Sequence, residues 1–151
     1  MTYKALDIAK KILAKASFSD AGAGERISNM KLQKLLYYQQ GFHLAYFGTP
    51  LFNENIEAWM YGPVVLSVYN HYKEWNDKGI EDNIEDNKNI ITLQPKEEAL
   101  FDEVYKVYDD FSAIGLMNLT HSESPWKETP VGKGSVISNE KMITFFRKKL
   151  K

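Results

Sequence analysis

Residues Ser28 to Gly48, SNMKLQKLLYYQQGFHLAYFG, decide how this chain folds. Wound at 3.6 residues per turn, they send Leu32, Leu36 and Phe47 in one direction, Leu35, Phe42 and Tyr46 in a second, and Met30, Tyr37 and Leu44 in a third. A helix that is apolar at every azimuth has to be surrounded by other chain. About 20 residues at ~1.5 Å of rise each make a rod of roughly 30 Å, the width of a small domain. The lysines and glutamines within it argue against a membrane span. Ser28 suits the N-cap, because its hydroxyl can accept from a first-turn N–H, and Gly48 followed by Pro50 suits the stop. The expected fold is mainly α, a helix-dominated α+β arrangement. One compact domain over residues 1–151 is built around this central helix, with a small antiparallel β hairpin.

Composition agrees with one substantial core: 151 residues, 44% apolar and 13% aromatic. Nineteen basic residues face twenty acidic ones, so no whole-molecule field points to nucleic acid or to an anionic membrane. The absence of cysteine excludes disulfides, thiolate zinc sites and a cysteine nucleophile. The opening MTYKALDIAKKILAKA has no uninterrupted apolar run and reads as an amphipathic helix rather than a signal peptide, so the cytoplasm is the expected compartment.

Outward from the central helix, Leu6, Ala9, Ile12, Leu13 and Ala16 recur at helical spacing over Tyr3 to Ala16, with lysines on the other face. Residues 17–27, rich in Gly and small polar side chains, read as a movable loop. Asn53-Glu54-Asn55 between Leu51-Phe52 and Ile56 to Trp59 reads as the turn of a hairpin. Pro63 then fits the first turn of a helix running to about Trp75. Residues 76–95 are an acidic connection with one short β-like run, Ile90 to Leu93. A helix from Pro95 to Phe111, a short one capped by Ser112, an irregular loop LTHSESPWKETPVGKGSVIS and a last helix from Glu140 to Leu150 complete the chain.

Candidate chemistry is sparse. His43, His71 and His121 lie in no H-E-x-x-H pattern, and the H-S-E at His121 lacks the P-C-x-x-C that a zinc deaminase requires. No metal or cofactor is expected. Ser122 and Ser124 sit near His121 but in no nucleophile elbow, and no phosphate-binding glycine loop occurs. Gln39, Gln40 and His43 share a sector of the central helix, read as a buried polar network that fixes how neighbours dock. His121 is expected to hold its loop by hydrogen bonds. Two other function classes follow from residue types alone. One is a small hydrolase-like enzyme in which His121 and Glu123 line a cleft with Gln39 and His43. The other is a nucleic-acid regulator using Arg147, Lys148, Lys149 and Lys151.

Three motifs in order, KLQKLLYYQQGFHLAYFGTPLF, IEAWMYGPVV and LTHSESPWKET, resemble the Panacea-domain family, the antitoxin domain related to SocA and to phage-associated proteins. The resemblance spans about Ile27 to Thr129. Family-like positions are Lys34, Leu35, Leu36 and Tyr37 in the central helix and Pro50 and Leu51 after it. Ala58, Trp59, Tyr61, Gly62 and Pro63 match at the turn, and Thr120, His121, Glu123, Pro125 and Trp126 in the late loop.

What the resemblance implies is a helical, non-enzymatic antitoxin that neutralises a cognate protein toxin, by direct binding or by delivering it to a cellular protease. Members with an additional DNA-binding domain have more chain than this, so nucleic acid is not an expected partner, and neither is a membrane. Lys34, Leu35, Leu36, Tyr37, Gly62 and Pro63 read as residues that specify the fold. The expected partner contacts are the exposed parts of Trp59, Tyr61, His121, Glu123 and Trp126, together with the loop around Asp20 to Glu25.

Overall fold

The structure, a computed structural model, describes residues 2–17, 27–75, 78–80 and 90–150. The expected movable loop at 20–25 and most of the acidic connection at 81–89 lie outside them. Among the described residues the fold is helix-dominated α+β, with α1 (Ala5–Ser17), α2 (Asn29–Phe47), β1 (Ile56–Trp59), β2 (Gly62–Val64), α3 (Leu66–Tyr72), α4 (Pro95–Tyr108), α5 (Ala113–His121), α6 (Ser124–Lys127), β3 (Val136–Ile137) and α7 (Asn139–Arg147). No helix among them is long and apolar enough to cross a membrane.

The rod of the sequence reading is α2, enclosed by α1, α3, α4, α5, α7 and β2. Leu32, Leu36, Tyr37 and Tyr38 are fully buried, and so are neighbours pointing other ways, Leu35 and Leu44. Ser28 caps it by accepting from Lys31 N, a bond worth about 1 kcal/mol over alanine. Gly48 ends it in the left-handed conformation at φ 76°, returning its N–H to Leu44 O. Arg147 adds Nε–H to Ala45 O at 3.2 Å, so one of the cations of the last helix satisfies a last-turn carbonyl of α2. Gly41 is where α7 crosses α2: a Cβ there would lie 2.2 Å from the Phe146 ring.

The hairpin is not where the Asn-rich run suggested. β1 and β2 pair with Trp59 opposite Gly62, so Met60 and Tyr61 form the turn, and β3 adds on the other side of β1 to give the antiparallel order β2-β1-β3. Leu51 and Phe52 find no hairpin partner because the Gln40 amide takes their backbone: its Oε1 accepts from Leu51 N at 2.7 Å and Phe52 N at 3.3 Å, and its Nε2 donates to Phe52 O at 2.7 Å. Pro63 accordingly sits in an edge strand, where a missing N–H breaks no ladder bond, and helix α3 begins three residues later than expected. Gly62 has φ 117°, a conformation only glycine adopts cheaply.

Side chains also replace the strand expected at Ile90 to Leu93. Lys11 Nζ donates to Ile91 O at 3.0 Å and Glu98 accepts from Leu93 N at 3.0 Å, leaving that backbone irregular but satisfied. Helix α4 stops at Tyr108, three residues short of the expected end, and Phe111 is 37% exposed. The late loop holds two regular pieces the composition hid, α6 and β3. The last helix starts one residue early, with Ser138 as its cap, and its α-helical part ends at Arg147, leaving Leu150 41% exposed.

Candidate functional site: the hairpin tip and the polar centre beneath it

Strand alternation on β1 buries Ile56 and Ala58 against the helices and turns Glu57 and Trp59 to the other face. Glu57 is nonetheless covered, since its Oε1 accepts from Gly134 N at 2.7 Å and from Trp59 Nε1 at 2.8 Å. The same residue therefore ties the loop 130–135 to the sheet. Gly132 N donates to Ala58 O at 2.8 Å, fixing that loop a second time. At the end of this scaffold stand Met60, 66% exposed, and Tyr61, 59% exposed, with Val131 and Val136 exposed on the adjoining loop and strand. Four apolar side chains presented by a hydrogen-bonded framework are an interface-like surface.

Trp126 anchors the tip from α6. Its indole Nε1 donates to Trp59 O at 2.8 Å, and its ring stacks on His121 with centroids 4.0 Å apart. Trp59 packs edge-on against Tyr69 at 5.0 Å. His121 was expected to hold its loop by hydrogen bonds; stacking does that work, and Nε2 of its ring is buried without a partner. The family-like residues of the two late motifs thus meet: Trp59, His121 and Trp126 form one group.

Glu123 is the exception among the expected surface residues. It is 4% exposed, so it presents no outward contact. Its Oε1 accepts from the Tyr37 hydroxyl at 3.0 Å and from that of Tyr38 at 3.1 Å, and its Oε2 from Tyr38 at 3.0 Å. Burial pushes the carboxyl up to about 7, against the two tyrosine bonds and Lys149, which pull it down. The same burial, reinforced by Glu123, raises both tyrosine hydroxyls far above their ordinary range, so they remain donors.

Lys34, one turn before this pair on α2, is 1% exposed. Its side chain runs under the hairpin turn: a Cβ on Gly62 would sit 2.8 Å from Lys34 Cε, 3.2 Å from its Nζ and 3.1 Å from Thr120 Oγ1. Desolvation lowers the ammonium to about 8. Gly62 is therefore required twice over, by its angle and by the lysine beneath it. Leu35, Leu36 and Tyr37 are core residues of the same helix.

Gln39, Gln40 and His43 do lock neighbours to α2, but each reaches a different one. Gln39 Nε2 donates to Phe101 O at 3.1 Å, Gln40 holds Leu51 and Phe52, and His43 places its ring nitrogens 2.6 Å from Thr49 O and 2.6 Å from Glu97 Oε2. Burial alone would raise the Glu97 carboxyl, yet bonds from Tyr3 and His43 outweigh it and hold it below the usual range. None of these side chains joins His121 and Glu123 in a common cleft. The residues that sequence reasoning missed are Met60, Val131 and Val136, whose apolar character signalled core, and the burial of Glu57.

The three signature segments of the sequence thus fold onto one buried helix, with a tryptophan-anchored turn at the surface. The family model described as "Antitoxin SocA-like, Panacea domain" matches residues 32–127, and the chain belongs to this antitoxin family. Among its relatives, the protein named Antitoxin SocA of Caulobacter vibrioides (strain NA1000 / CB15N) is 33% identical over 137 residues, covering 85% of this chain and 71% of that protein. No solved structure matches the chain.

Proposed function

We propose that this chain neutralises a cognate protein toxin by direct noncovalent contact, with no catalytic step, and that the toxin seats on the Met60–Tyr61 turn and its Val131 and Val136 flank. The observation that carries this reading is the exposure of Met60 and Tyr61 on a turn whose base is fixed by the Trp126 bond to Trp59 O. Trp59, His121 and Trp126 form the rim of that contact. A stable complex needs about 800 Å² buried per partner, so the contact would extend from the tip and its flank onto adjoining polar surface. The family assignment supports a toxin as the partner.

The burial of Glu123 at 4% and of His43 at 3% speaks against acid–base catalysis, since neither meets a substrate. Near-neutral charge and the engagement of Arg147 with Ala45 O speak against a nucleic-acid surface on the last helix. The test is co-expression with the product of the neighbouring reading frame in the cytoplasm of a bacterial host. A product lethal alone and harmless beside this chain, recovered with it as a stoichiometric complex, is the expected result. Rescue with steady loss of the toxin would favour delivery to a protease, and no rescue by any neighbouring frame would overturn the reading.

A further inference from the structure

A buried ammonium is tolerable when a carboxylate stands beside it, and the ion pairs of the described residues leave Lys34 out. What lies over it is the turn, Gly62 backbone on one side and Thr120 Oγ1 on the other, and that hydroxyl gives its proton to Met117 O at 2.9 Å. The turn that ends at Gly62 carries Met60 and Tyr61, both exposed, at the tip of the β1–β2 hairpin. A cation without an anion, directly under a surface suited to a protein partner, has a complement of one chemical kind.

We propose that Lys34 is the receptor for an aspartate or glutamate side chain of the bound partner, which enters beneath the Met60–Gly62 turn and pairs with the Lys34 ammonium while apolar partner residues cover Met60 and Tyr61. This rests on the toxin-binding function proposed above and specifies its chemistry. Charge complementarity selects the occupant: a neutral or basic segment would leave the ammonium as it is, still unpaired. The pair forms in a dry setting, where a charge-assisted bond is strongest.

The experiment is calorimetric titration of the full-length chain with the toxin recovered by co-expression, at pH 8, in two buffers of different ionisation enthalpy. Lys34 is close to half protonated there when free, and a facing carboxylate drives it to the charged form, so each complex should take up about half a proton. Lys34→Met should abolish that uptake and weaken binding at least tenfold while raising the melting temperature of the free chain. A purely structural lysine would change the melting temperature and leave both proton uptake and affinity alone. Wild-type binding with no proton uptake, or undiminished affinity of Lys34→Met, overturns the proposal. The uptake needs no variant, so misfolding of Lys34→Met leaves it decisive. Failure of the wild-type chain to bind at all overturns the function itself.

Discussion

The Tyr38 hydroxyl lies 3.1 Å and 3.0 Å from the two carboxylate oxygens of Glu123, a residue 85 positions further along the chain. Tyr38 comes from the middle of the central helix and Glu123 from the start of α6, so this contact closes the fold across most of its length. Its base stacks: the Tyr38 ring lies 3.9 Å from that of Tyr108, nearly parallel, and meets Phe146 edge-on. A carboxyl in that aromatic box is held by hydrogen bonds and penalised by desolvation at once.

That balance makes stability depend on pH. A carboxyl at about 7 in the native state and 4.5 in the unfolded chain binds its proton more tightly when folded. Its contribution is greatest below pH 4.5 and is lost as pH rises through 7, up to about 3 kcal/mol in all. Glu123→Gln keeps an acceptor for the tyrosines and cannot ionise. Urea unfolding at pH 5 and pH 8 should show a smaller decline for the variant than for the wild type; equal declines would contradict the burial of a titrating carboxyl here.

Lys34 gives the opposite sign. Its pKa is about 8 in the folded chain against 10.5 when free, so the folded state carries its full penalty below pH 8 and recovers it as pH rises from 8 to 10.5. Lys34→Met should stabilise the free chain at pH 7 by about 2–3 kcal/mol, seen as a higher urea midpoint with an unchanged slope.

Gly41 reports the α2–α7 crossing. Alanine is the better helix former by about 1 kcal/mol, but its methyl would meet the buried Phe146 ring at 2.2 Å. Overpacking wins, and Gly41→Ala should cost about 1–3 kcal/mol. Pairing it with Phe146→Leu should recover part of the loss, because the two changes share one space.

Gln40→Leu strips two N–H groups and one carbonyl of their partner and should cost about 3 kcal/mol or more. Gln39→Leu removes one bond from the carbonyl of Phe101, which sits inside α4 and keeps its helical partner, and should cost about 1 kcal/mol. A ranking in the other order would show that the Leu51-Phe52 segment is not held as described.

At the surface, replacing Met60 and Tyr61 together by serine should leave the unfolding midpoint within about 0.5 kcal/mol of the wild type, since both side chains are mostly solvated. Toxin neutralisation in the co-expression assay should nonetheless fail. Retained neutralisation would move the contact surface elsewhere on the molecule.

Much of this molecule was legible in its amino acids alone. An α2 apolar in every direction had to be interior, Ser28 and Ser112 announced their caps, Gly48 its stop, and three ordered motifs announced the family. Those features are local: they depend on side-chain chemistry within a few turns of chain. Tertiary structure decided the rest. Whether Asn53-Glu54-Asn55 becomes a hairpin turn depends on Leu51 and Phe52 being free to pair with Ile56 to Trp59, and the Gln40 amide holds Leu51 N and both backbone groups of Phe52 instead. Whether Glu123 faces solvent or a tyrosine pair, and whether Lys34 keeps its full charge, depends on which distant segments exclude water from it. Desolvation is a property of the assembled neighbours, and no window of sequence contains them.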